Sequence, residues 1–459
     1  MSSINNQNDS KENFLERIVQ TFAASLVFDY LRKYGRINEY MCFVLLQCNK
    51  KLNIIVTNEL LKLISFPSSV ILQWNPEKIR LHWNHIQKIV INDFTILTNC
   101  TKLPLGVTGG LPPNLKQLIF YDNFHSSAND APSKHGSKFN QPLSIDMLPS
   151  NLLMLTLSYE FNQELDHNVL PSALTKLKFG GKFNKPLIEG VLPKNLMELT
   201  VGHCFNHPLS KNVLPLNLTY LKFGYFFNKS ISNGILPINL RYLYLGHCFN
   251  QPILMGDIPP NLEKLYLGCK FDQLLFEGMF PSTLTKLDLG YNFDKQLSKG
   301  ILPMNLEILT FSDKFNQTIS EGVIPMNLKQ LNFGSKFNQQ LFKNSLPVSL
   351  KKLMFKSDFN QPFLKGVLPS GLTELIFGYD FNQPFSEGVL PSSLLKLEFG
   401  KKFNQPLLNN VLPSSLLQLT IDTHFAQPIS ESVQPTMVIR HDAYGYVAIC
   451  CWESFSVLT

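Results

Sequence analysis

Residues Phe403 to His424 have the sequence FNQPLLNNVLPSSLLQLTIDTH, and versions of this 22-residue unit recur in one register along most of the chain. A proline follows each opening phenylalanine by ten residues, from Pro149 through Pro435. A fixed period of roughly 20–50 residues is the sequence signature of a stacked-repeat solenoid. The opening positions are Phe139, Phe161, Phe183, Phe205, Phe227, Phe249, Phe271, Phe293, Phe315, Phe337, Phe359, Phe381, Phe403 and Phe425.

The leucine columns predict one short strand in each unit. Leucine stands three and six residues after the proline, as in Leu394 and Leu397, and an apolar residue such as Phe399 follows two further on. This Leu-x-x-Leu-x-Phe stretch has the period of two that is typical of a strand. A glycine usually comes next, as at Gly180, and we expect it to let the chain turn out of the strand.

The phenylalanine and asparagine positions of the unit predict how the coils are held together. A 22-residue coil can bury its apolar side chains only against its neighbours, so stacked phenylalanines should form an apolar ladder inside. The asparagine that follows each phenylalanine should satisfy backbone groups of the turn. Together these columns predict a leucine-rich-repeat-like solenoid over residues 111–435, with 22-residue coils and a parallel sheet. Its first coil should be followed by an inserted loop over residues 125–138, which are rich in Ser, Asn, Asp and Gly.

The unit resembles the FNIP repeat, which is named for a Phe-Asn-Ile-Pro core and occurs in social amoebae and in giant viruses of amoebae. Departures from the Phe-Asn pair are few: Asp272 and Asp294 replace the asparagine, and Ala426 replaces it in the last unit. The resemblance implies a solenoid related to leucine-rich repeats. The core occurs as FNQP at Phe139, Phe249, Phe359, Phe381 and Phe403.

The N-terminal region differs from the repeats. Residues 1–13 are polar and predict a disordered tail, whereas residues 14–75 have apolar side chains at helical spacing. The helical segment resembles an F-box, which implies docking to the Skp-type adaptor of a cullin-type ubiquitin ligase; a simple N-terminal cap is the alternative. Residues 76–110 should be degenerate opening coils. The F-box-like core would consist of Leu26, Phe28, Leu31, Phe43, Leu45, Cys48 and Leu52.

Composition argues against several classes of protein. A net charge of +7 over 459 residues is mild, so nucleic acid is not an expected partner. The sequence has no signal peptide and no apolar run of about 20 residues, so we expect an intracellular, cytoplasmic protein, in host cytoplasm if the chain is viral. Residues 436–459 leave the repeat and should form a C-terminal cap, because a solenoid needs its last coil covered.

Histidine and cysteine pairs were the strongest candidates for chemistry. His203-Cys204 and His247-Cys248 occupy the same columns two coils apart, about 9–10 Å, which is too far for one metal centre. Cys269 lies one coil beyond Cys248, so the sequence allows these two thiols to form a pair. No phosphate-binding loop or catalytic triad can be recognised. We therefore expect no cofactor, no metal and no catalytic residues, and a metal- or thiol-dependent enzyme is only the third alternative.

The outward strand positions give a candidate binding face. Tyr220, Tyr242, Tyr244 and Tyr266 should be neighbours on consecutive coils, and clustered surface tyrosines are typical anchors of protein interfaces. A tyrosine ladder that merely covers the sheet is the alternative. The leading hypothesis is a protein-binding scaffold that recruits substrates to a ubiquitin ligase through its F-box, and the second is a repeat scaffold with no ligase connection.

Overall fold

The computed structural model describes residues 88–91, 111, 113–120, 139–408, 410–429, 435, 437–441 and 447–450. The predicted helical segment 14–75 with its F-box-like core, most of residues 76–110, the predicted loop 125–138 and most of the predicted cap 436–459 lie outside the described residues. The chain divides into two compact units, Met1–Phe183 and Asn184–Thr459.

The first unit has a parallel sheet. Lys88 of the first strand is paired with Gln117 of the second, and the later strands continue in the same parallel register. The first strand contains Ile89–Ile91, for which the sequence predicts a strand. The described strands are β1 (Lys88–Ile91), β2 (Gln117–Phe120), β3 (Met154–Thr156) and β4 (Lys176–Lys178).

The second unit continues the same pattern, with one short strand per coil, and ends in an antiparallel strand that pairs with the one before it. Its described strands are β5 (Glu198–Thr200), β6 (Tyr220–Lys222), β7 (Tyr242–Tyr244), β8 (Lys264–Tyr266), β9 (Lys286–Asp288), β10 (Ile308–Thr310), β11 (Gln330–Asn332), β12 (Lys352–Met354), β13 (Glu374–Ile376), β14 (Lys396–Glu398), β15 (Gln418–Asp422), β16 (Met437–His441) and β17 (Val447–Cys450). The prediction of a leucine-rich-repeat-like parallel solenoid is confirmed.

The strand register follows from the leucine columns. The middle residue of each three-residue strand is a fully or almost fully buried leucine, and Leu221, Leu243 and Leu265 are paired in sequence across three coils. Because side chains alternate across a strand, the residues on either side of each leucine point away from the core. They are half-buried or exposed, which makes them available as a surface.

Two phenylalanine columns fill the core. The predicted ladder is present: Phe315 is fully buried, and its ring centroid lies 6.3 Å from that of Phe293 and 6.2 Å from that of Phe337. The phenylalanine that follows most strands adds a second column, whose rings stack almost face to face with the first. The ring centroids of Phe333 and Phe337 are 3.8 Å apart. Each coil therefore contacts its neighbour through aromatic faces, in addition to the strand hydrogen bonds.

The predicted asparagine ladder is also present. The side-chain oxygen of Asn250 accepts a hydrogen bond from the backbone N–H of Asp272, one coil later, at 2.9 Å. Asp272 accepts in the same way from Asp294, at 3.1 Å, because a carboxylate offers the same acceptor as an amide oxygen. At the last repeat, Ala426 still donates its N–H to Asn404, at 3.0 Å. These bonds explain the Asn-to-Asp replacements, and why the final unit can accept an alanine.

The glycine after most strands is required by the close approach of two coils and not by a left-handed backbone conformation. Gly180 does not have a positive φ, and neither does Gly268. A Cβ on Gly180 would instead overlap the backbone carbonyl of Ser158, one coil earlier. Gly290 is the exception among the described glycines that follow a strand, with a φ of 81°. The other positive φ values occur in a column of the return segment that holds glycine, asparagine or aspartate, as at Gly366 (φ 83°) and Asn344 (φ 67°). Glycine after the strand thus serves the close approach of two coils, and glycine in the return segment serves a left-handed turn.

Candidate binding face

The four predicted tyrosines lie together. Strand pairing sets Tyr220 beside Tyr242, and Tyr244 beside Tyr266, on the outward side of three consecutive strands. We call Tyr220, Tyr242, Tyr244 and Tyr266 the tyrosine face. The local sequence explains this position, because each tyrosine flanks a buried leucine in a strand with a period of two.

The rings of the tyrosine face pack on one another. Tyr244 and Tyr266 are stacked, with centroids 4.0 Å apart and planes inclined by 9°. The Tyr220 ring is tilted against both Tyr244, at 5.5 Å, and Tyr242, at 6.3 Å. All four side chains are half-buried, so they are less open to solvent than their strand positions alone suggest. The result is a compact aromatic surface that is partly exposed.

Three lysines are held over these rings. The Nζ atom of Lys264 lies 4.9 Å from the ring centroid of Tyr242, and that of Lys286 lies 5.0 Å from the centroid of Tyr266. Lys222 lies over Tyr244, at 5.9 Å. Such separations allow a favourable cation–π attraction. We call these three residues the face lysines.

The hydroxyl groups of the face are not equivalent. Burial and the neighbouring Tyr266 raise the pKa of Tyr244, whereas burial and the charge of Glu198 raise the pKa of Tyr220. Burial opposes ionisation of Tyr266 too, but hydrogen bonds from Lys286 and Tyr244 outweigh it and lower the pKa of Tyr266. Because both pKa values are raised, Tyr220 and Tyr244 are neutral phenols at pH 7, and the O–H of Tyr244 is donated to Tyr266.

Further aromatic residues follow the strands in the turn. Tyr225 is 38% exposed and stacks on His247, with ring centroids 4.2 Å apart, and Phe226 is 51% exposed. Burial and the charge of Lys270 lower the pKa of His247. Tyr225 and Phe226 occupy the same columns as the two His-Cys pairs, on the coil between them. The sequence does contain a signal for the contact between Tyr225 and His247, because they are 22 residues apart and residues at that separation are neighbours in this fold.

The histidine and cysteine positions do not form a recognisable centre. Within the part of the chain that the structure describes, no group of three or more His, Cys, Asp or Glu side chains is placed to hold a metal ion. Cys204, Cys248 and Cys269 are free thiols. Burial, followed by the charge of Asp288, raises the pKa of the Cys269 thiol, which makes it a poorer nucleophile. No described helix combines the length and hydrophobicity required to cross a membrane.

Comparison with known proteins agrees with the repeat architecture. The family model described as FNIP Repeat matches overlapping segments that together run from residue 139 to residue 437, more than half of the chain. The matched segments are 139–182, 183–226, 205–248, 227–270, 249–292, 271–314, 315–358, 359–402 and 403–437.

One solved structure supports the same conclusion. CroV588, whose crystal structure is described as a novel circular LRR protein structure, is 38% identical to this chain. The match covers 78% of this chain, with a TM-score of 0.63. The chain spans 56% of the length of CroV588. An internalin (InlF) from Listeria monocytogenes matches 61% of this chain and 83% of its own, at 14% identity and a TM-score of 0.34. Among curated proteins, none matches the sequence significantly.

Proposed function

The chain belongs to the FNIP Repeat family, and we propose that it is a protein-binding scaffold whose binding face is centred on Tyr220, Tyr242, Tyr244 and Tyr266. A repeat solenoid is typical of interaction proteins without catalytic activity, and we assign the chain no reaction of its own. The observation that carries the proposal is the packed cluster of half-buried tyrosines on three consecutive strands.

The physical argument concerns what such a surface offers a partner. Tyrosines that already pack on one another lose little conformational freedom when a partner binds, and each has an apolar ring and a polar hydroxyl. Residues of this kind dominate the binding energy of many interfaces. The buried leucines beneath the rings hold the strands in place, so the face is set before the partner arrives.

Replacing Tyr242 and Tyr244 together with alanine should reduce capture of the natural partner by about tenfold or more, because two interface anchors are lost at once. The measurement is quantitative affinity capture from a host-cell extract, with captured proteins identified by mass spectrometry. Circular dichroism should show that the fold survives, since neither side chain is part of the buried core.

The matched control replaces Tyr291 and Tyr379 with alanine. Both are exposed tyrosines that lie outside the tyrosine face, with exposures of 48% and 49%. Capture by this variant should stay within about twofold of the unmodified chain, because surface residues away from the interface contribute little. Equal capture by the two double variants would remove the tyrosine face as the binding site.

The finer proposal is that residues 14–75 form an F-box, which makes the chain the substrate-recruiting subunit of a cullin-type ubiquitin ligase in the cytoplasm. It is supported by the sequence resemblance alone. The test is co-purification of the full chain with a Skp-type adaptor. Deleting residues 14–75 should abolish co-purification while capture through the tyrosine face persists. If the full chain fails to retain the adaptor, the scaffold has no ligase connection of this kind.

A further inference from the structure

We propose that the tyrosine face and the face lysines together recognise an extended acidic segment of a partner protein. This inference rests on the proposed function, because it names the chemistry of the partner for the same face. It is carried by the arrangement of ring faces, hydroxyls and ammonium groups on strands β6 to β9.

The flat faces of the stacked tyrosine pair are already occupied. Tyr244 and Tyr266 cover one another, and the strand order puts Lys222 on the coil before them and Lys286 on the coil after them. Each of these two lysines lies over the neighbouring ring. The pair is thus enclosed between two ammonium groups. What a partner meets is the ring edges, the hydroxyls and the lysine head groups.

The face lysines have no carboxylate within ion-pair distance among the residues that the structure describes. Elsewhere in the same strand columns lysines are paired: Lys352 lies 2.8 Å from Glu374, and Lys396 lies 3.4 Å from Glu398. Lys264 and Lys286 are moreover direct neighbours on adjacent strands. The surface around the tyrosines therefore has three ammonium groups that form no direct ion pair with the described carboxylates, although the charge of Asp288 acts on Lys286.

These groups favour a partner that is rich in oxygen acceptors. Ammonium groups and neutral phenols donate hydrogen bonds, and ionised carboxylates are their strongest acceptors in proteins. The face spans four strands, about 15 Å at a spacing of about 4.8 Å, which matches four to five extended residues. Glu198 lies on β5, the strand before the face, and Asp288 lies on β9, its last strand, so the basic stretch has a limited length.

The same geometry disfavours single-stranded nucleic acid. Proteins that bind such strands stack the bases on open aromatic faces, and place them along a continuous basic groove. The Tyr244–Tyr266 pair has neither face open, and acidic residues stand at both ends of the basic stretch. An acidic peptide requires neither feature, since it is held by its carboxylates and its backbone.

The experiment measures fluorescence anisotropy with the full chain and a labelled peptide of six consecutive glutamates at low salt. A peptide of six glutamines and an eight-nucleotide oligouridine are the comparison probes. We expect the glutamate peptide to bind more tightly than both, and its affinity to fall as salt is raised. Replacing Lys222, Lys264 and Lys286 with glutamine should weaken glutamate-peptide binding by about tenfold.

The matched control removes the same charge elsewhere. Lys352, Lys396 and Lys402 are each ion-paired, and their triple replacement with glutamine should change peptide affinity by less than about twofold. Equal loss in the two triple variants, or tighter binding of oligouridine or glutamine peptide, would overturn the acidic-partner inference. If peptide binding fails but partner capture still depends on Tyr242 and Tyr244, only this inference falls and the scaffold proposal stands.

Discussion

Replacement of Phe315 with alanine is expected to lower the free energy of unfolding of its unit by about 3–5 kcal/mol, because a fully buried aromatic ring leaves a cavity between coils. The ring of Phe315 packs between Phe293 and Phe337, and its centroid is also 4.2 Å from that of Phe311. Neighbouring coils cannot close the gap, since their spacing is fixed by strand hydrogen bonds on one side and by the asparagine ladder on the other.

Urea denaturation followed by circular dichroism tests the size of this effect, and hydrogen exchange tests where it acts. Each coil contacts mainly its neighbours, so amides of β10 and β11 should lose protection before those of β6. The control is Phe342→Ala at a side chain that is 58% exposed, where a change within about 0.5 kcal/mol is expected. A similar midpoint for the two variants would show that the phenylalanine ladder does not hold the coils together.

The fold could be predicted from the sequence because every coil must bury the same apolar positions. Leu221 and its equivalents must be buried in a strand with a period of two, and Phe227 can be buried only against the next coil. The asparagine ladder followed in the same way, from an amide that recurs beside a turn. Because each coil has 22 residues, equivalent positions of adjacent coils are neighbours in the structure, and the sequence pattern directly predicts which side chains are in contact.

The candidate site was only partly accessible from sequence. The column pattern places Tyr244 beside Tyr266, but it does not give the angle of the rings or the position of Lys222 and Lys286 over them. Those depend on side-chain rotamers, which packing decides. Stacking of Tyr225 on His247 was missed for the same reason. Strand columns predict which side chains are neighbours, and packing decides what surface those neighbours present.

The glycine after the strand gives the second large expected effect. Gly268→Ala should destabilise the solenoid by about 3 kcal/mol, because the added Cβ would overlap the backbone carbonyl oxygen of Gly246 and lie 3.1 Å from the Cβ of Phe249. Both obstacles belong to rigid parts of the coil before. The two coils would have to separate where Leu245 donates its N–H to Tyr266, at 2.9 Å, so the tyrosine face should be disturbed as well.

Thermal and urea denaturation compare this variant with Gly366→Ala, where φ is 83° and no atom lies within 4 Å of the added Cβ. That change should cost only about 1 kcal/mol, from backbone strain, and Gly366→Asn should cost less, because Asn344 adopts a φ of 67° in the same column. If asparagine also restored stability at Gly268, the glycine there would be serving a left-handed turn. If instead only glycine is tolerated at Gly268, the limit is the distance between adjacent coils, which no local conformational preference could have revealed.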